Sequence, residues 1–138
     1  MKRTNRTNVT IGFALLMLAA CATTDPKTVL LAVGQAGNGA KQEAFTVLSV
    51  QCSDAALATM TSQQRSDCVT KTSQAALAAK TWDAALASAT AGVTNSGTTA
   101  AQVTAALTTA LCQFPAIVPG INTGSVSCPS PVAGGTSQ

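Results

Sequence analysis

The sequence predicts an all-α fold, a small helical bundle or hairpin array of three to five helices with an irregular, disulfide-tied C-terminal loop. Three observations predict it. Apolar residues recur at helical spacing in Trp82, Leu86, Ala89 and Val93, and again in Val103, Leu107 and Leu111. Helix-start signatures precede such runs: Asp25-Pro26, and Thr61 with Gln64 three residues on. Beyond Phe114 the chain carries Pro115, Pro119, Gly120, Gly124, Pro129, Pro131, Gly134 and Gly135, and the helical period is lost.

The helices follow in order. Asp25 offers a capping side chain and Pro26 suits the first helical position, with Val29, Leu30 and Val33 on one face. Gly34, Gly37 and Gly39 each cost about 1 kcal/mol in a helix relative to alanine, so the helix is expected to be short or to fray there. "GQAGNG" has the wrong spacing for a dinucleotide fingerprint and reads as a flexible turn. Helix resumes over Lys41 to Gln51, with Phe45, Val47 and Leu48 as its apolar face, although "FTVLSV" also fits a strand. Ser53 or Asp54 caps a short turn through Met60.

A capping box at Thr61 and Gln64 opens a helix expected to run to about Ala79, with Cys68, Val69, Thr72 and Ala76 inward. Leu77 and Leu86 would face opposite ways on one continuous helix, so a break is expected at Lys80-Thr81. "KTWDAALASATAG" resembles the turn and second helix of a tetratricopeptide repeat; it occurs once, and solenoids need about three repeats, so it reads as a generic helical hairpin. After the loop "GVTNSG", Thr98 or Thr99 caps a helix that Phe114-Pro115 is expected to stop. The helical domain is thus assigned to 26–128, and 129–138 to a disordered tail.

The N-terminus carries a different kind of signal. Lys2, Arg3 and Arg6 precede the apolar run "VTIGFALLMLAA". The run is about a dozen residues, where a spanning helix needs roughly 20, so it reads as an export signal. Leu18-Ala19-Ala20-Cys21 resembles the lipobox of bacterial lipoproteins. The resemblance implies a signal peptide over 1–20, diacylglyceryl transfer to the Cys21 thiol, cleavage before Cys21, and acylation of the new amino terminus. Residues 21–25 are then a lipidated end and short tether. Ala22 follows the cysteine, and in that family an aspartate there tends to retain proteins in the inner membrane; the resemblance therefore implies the outer membrane, facing the periplasm. Two or more acyl chains anchor stably, at roughly 0.8 kcal/mol per buried CH₂. An ordinary secretory signal cut after Ala22 is the competing reading.

The net charge of +3 comes from the signal. From Cys21 on, Lys27, Lys41, Arg65, Lys71 and Lys80 balance Asp25, Glu43, Asp54, Asp67 and Asp83. Five scattered positives give nucleic acid no basic patch. Aromatic residues make up 3% of the chain, so the expected core is thin and calls for covalent staples. Setting Cys21 aside leaves Cys52, Cys68, Cys112 and Cys128, an even number in an exported chain. Three connectivities are open. The local pairs Cys52–Cys68 and Cys112–Cys128 are favoured, each closing a loop worth about 3 kcal/mol. A metal site has little support, with no histidine and no C-x-x-C.

Catalytic chemistry finds few residues. There is no histidine for acid–base work. Ser73 with Lys80 and Ser66 with Lys71 miss the S-x-x-K spacing. Asp54, Asp67 and Asp83 read as surface ion partners of Arg65, Lys71 and Lys80. Trp82 has two readings, packing of the hairpin or an exposed anchor for a partner or glycan. The expectation is a non-enzymatic, cofactor-free envelope lipoprotein with a structural, adaptor or binding role. Its partners are the membrane, through the lipid, and an envelope protein. The alternative is an inhibitor or phage-type exclusion factor acting on an outer-membrane receptor or envelope enzyme.

Overall fold

A computed structural model describes residues 25–95 and 97–129. The signal region 1–20, the lipidated end at Cys21 and the tail beyond Pro129 lie outside the described residues. Among those described there are five helices and no strand: α1 (Pro26–Gln51), α2 (Asp54–Thr59), α3 (Ser62–Asn95), α4 (Ala100–Leu111) and α5 (Gln113–Ile117). The all-α expectation holds, and "FTVLSV" is helical.

α1, α3 and α4 pack against one another in all three pairings, and α5 closes the bundle against them. α1 and α3 run antiparallel, since Gly34 neighbours Leu86, Gly37 neighbours Trp82, and Cys52 is bonded to Cys68. The 34 residues of α3 make it roughly 50 Å long at 1.5 Å per residue. The core is small, and its largest enclosed side chains are Trp82, Phe114, Leu107, Leu111 and Val103. Ala40, Ala44, Ala75 and Ala78 are buried between them and let the helix backbones come close.

Helix starts follow local chemistry. Pro26 opens α1 as expected, but the Asp25 side chain makes no capping bond. Its carbonyl oxygen accepts from the Thr28 and Val29 amides instead. Ser53 caps α2 by accepting from the Ala56 amide. Thr61 and Gln64 form the expected reciprocal box, the Thr61 amide donating to Gln64 Oε1 at 2.8 Å and the Gln64 amide to Thr61 Oγ1 at 3.3 Å. The cap of α4 is Thr99, boxed with Gln102.

Four expectations are corrected. α1 does not stop at its glycines but is continuous over Pro26–Gln51. A Cβ on Gly37 would overlap the Trp82 ring, so the bare backbone there is the seat of the indole. Lys80-Thr81 is not a break and the repeat-like segment is not a hairpin, because α3 runs through both. Leu77 and Leu86 do face apart, and Leu77 is left 63% exposed. The inner face of α3 is Cys68, Ala75, Ala78, Trp82 and Ala89, whereas Val69, Thr72 and Ala76 point outward. Finally, α4 ends before Phe114-Pro115, and Pro115 sits in the first turn of α5, where its missing N–H leaves no helical bond unmade.

Beyond α5 the described chain is irregular and folds back on α1. Ile121 is buried, the Asn122 amide donates to Glu43 at 3.0 Å, and Gly124 turns at φ +64 against Ala36. Residues 100–117 are the one candidate membrane span among the described residues. The helix is interrupted at Cys112, and Val103, Leu107, Leu111 and Phe114 go into the core.

Candidate functional site

Both disulfides join the local pairs. Cys52–Cys68 and Cys112–Cys128 have Cα separations of 5.7 and 5.3 Å and the same sequence separation of 16. The first joins the end of α1 to the second turn of α3. Gln74, Leu77 and Ala78 of α3 share a pocket with Gln113, Ala116 and Ile117. From Ser62 to Gln74, Cys68 is the only buried residue of α3. Toward that end α3 therefore buries little, and α2 connects the pair there.

An open cleft of about 320 Å³ lies at that end, lined by Gln51, Cys52, Met60, Gln64, Asp67, Cys68 and Lys71. Its chemistry is a disulfide, one thioether, two amides, one carboxylate and one ammonium. Asp67 accepts a hydrogen bond from Gln63 at 2.9 Å, within α3. Arg65 donates through Nε and Nη2 to the Met60 carbonyl and so closes the α2–α3 turn.

Trp82 is fully buried, so the structure removes it from the surface as a partner contact. Its Nε1–H donates to Asn38 Oδ1 at 3.0 Å, which satisfies the indole's one polar atom. The charge pairing also differs from expectation. Asp83 bonds Lys41 at 2.7 Å across α1 and α3, not a neighbour on its own helix. With both side chains partly exposed, this pair contributes under about 1 kcal/mol. Ser66, Lys71, Ser73 and Lys80 are all exposed on α3. Among the described residues, no group of three or more His, Cys, Asp or Glu could hold a metal ion.

Sequence reasoning missed the cleft, because it depends on how the end of α1, Met60 and the first turns of α3 come together in space. Comparison with protein-family models, with curated proteins and with solved structures found no match.

Proposed function

We propose that this chain is a small lipid-anchored protein of the cell envelope. Cys21 holds it in the outer membrane, facing the periplasm, and its helical surface serves a structural, adaptor or binding role. The observation that carries this reading is the sequence of residues 2–21: three positive charges, a short apolar run, and Leu18-Ala19-Ala20-Cys21. The cysteine pairing supports it. Two bridges use Cys52, Cys68, Cys112 and Cys128, so Cys21 has no cysteine in the chain left to pair with. Bridges of this kind persist in oxidising compartments.

On this reading the start of α1 lies close to the bilayer. α1 begins at Pro26, five residues after Cys21, and runs about 39 Å to Gln51 at 1.5 Å per residue. The α2 tip and its cleft lie at the far end of α1 from the lipid.

Mass spectrometry of the mature amino terminus tests the proposal. The expected species begins at Cys21 and carries a diacylglyceryl thioether and an N-acyl group. An unmodified chain beginning at Thr23 overturns it. Co-purification distinguishes the roles: broad association with the envelope fits the structural one, and a stable complex with a single outer-membrane receptor turns the reading to an inhibitor or exclusion factor.

A further inference from the structure

We propose that the Cys52–Cys68 bridge is a redox latch, whose reduction frees the tip, residues 53–61, while the α1–α3–α4 body stays folded. Three observations carry it. No residue of the tip is buried, and none of its apolar side chains, Leu57 and Met60 included, packs on the core. The tip's hydrogen bonds reach only Val50 behind it and Gln64 and Arg65 in the first turn of α3. The bridge itself lines an open cleft, with Cys68 buried at 8% exposure and Cys52 half-buried, so a small thiol's approach is from the Cys52 side. The covalent bond is therefore the tie that fixes the tip across the helix pair.

The body does not depend on that tie. Cys68 is buried and Cys52 touches the rim of the core, but the core's other enclosed residues nearest the bridge, Leu48 and Ala75, lie a full turn or more inside it. Reducing Cys112–Cys128 has no equivalent effect on order, because Phe114, Val118 and Ile121 remain in the core. One bridge controls local order and the other does not.

The reductant is a dithiol of the thioredoxin chemical class, and dithiothreitol is the probe. Its thiolate attacks one bridge sulfur, breaking the S–S bond and forming a mixed disulfide while the other cysteine leaves as thiolate. Its second thiol displaces the remaining cysteine and closes an oxidised ring. Two electrons pass to the bridge, and the two protons end on Cys52 and Cys68.

The test is hydrogen exchange on the oxidised protein before and after dithiothreitol, with alkylation to count thiols and Trp82 emission to report the body. Amide exchange over 53–61 is expected to accelerate at least about tenfold, while α4 amides and Trp82 emission stay unchanged. A Cys112→Ala/Cys128→Ala variant should respond to reduction in the same way. A Cys52→Ala/Cys68→Ala variant should fold with native Trp82 emission and a tip that already exchanges fast. Unchanged tip exchange once Cys52 and Cys68 are both alkylated overturns the proposal. So does a Trp82 shift in step with the tip, or failure of the Cys52→Ala/Cys68→Ala variant to fold.

Discussion

The loops closed by Cys52–Cys68 and by Cys112–Cys128 have the same sequence separation, 16, and opposite contents. The first holds α2, none of whose residues is buried. The second holds Phe114, Val118 and Ile121, at 0%, 4% and 8% exposure. In the chain-entropy picture each bridge restricts the unfolded chain equally, by about 3 kcal/mol. What differs is the folded side. One segment is held by its bridge, the other by burial, with its bridge added. Equal crosslinks therefore need not contribute equally to stability, because a segment that is released in the native state regains entropy there.

The largest expected effect comes from attacking burial in the C-terminal loop. Phe114→Ala should cost about 3–5 kcal/mol, the range for a large aromatic removed from a packed site. Urea unfolding followed by Trp82 emission would show it as a lower midpoint at unchanged slope. A loss under about 1 kcal/mol would mean that the loop is not core-held, and the contrast between the two loops would disappear.

The bridges themselves come next. Cys112→Ala/Cys128→Ala should lose close to the full 3 kcal/mol or so, because Phe114 and its neighbours keep the native loop ordered. Cys52→Ala/Cys68→Ala should lose only about 1 kcal/mol, because the freed tip recovers chain entropy in the folded state. The comparison is a pair of denaturation curves. Equal losses would show that the tip stays ordered without its bridge.

How far these features were legible follows from how local their causes are. The starts at Thr61 and Thr99 could be read because a cap and its partner lie within three residues of each other. The start at Pro26 could be read because proline suits the first helical turn, although the Asp25 side chain makes no cap there. The cysteine pairing could be read because short intervals limit the options. The glycines of α1 misled, since their local cost of about 1 kcal/mol each argues for a break. The compensating term is the Trp82 ring seated at Gly37, and it comes from another helix. Lys80-Thr81 misled for a related reason: placing a break there assumes that both Leu77 and Leu86 must be buried, and the fold leaves Leu77 out. Of the candidate site, the cysteines were visible and the cleft was not. Trp82 could not be assigned to core or surface until Asn38 and Gly37 were seen beside it.

The smallest expected effect is the one that most sharpens the contrast. Leu57 is partly buried, but it packs outside the core cluster. A leucine in a core costs about 2–5 kcal/mol when cut to alanine, whereas surface changes stay within about 0.5 kcal/mol. Leu57→Ala in the oxidised protein should fall in the second range, with unchanged Trp82 emission. Alanine also has the better helix propensity, which offsets part of whatever packing α2 loses. A loss above about 2 kcal/mol, a core-sized value, would give the tip a packed core of its own. The bridge would then no longer be what keeps the tip in place, and the two loops would be held by the same means.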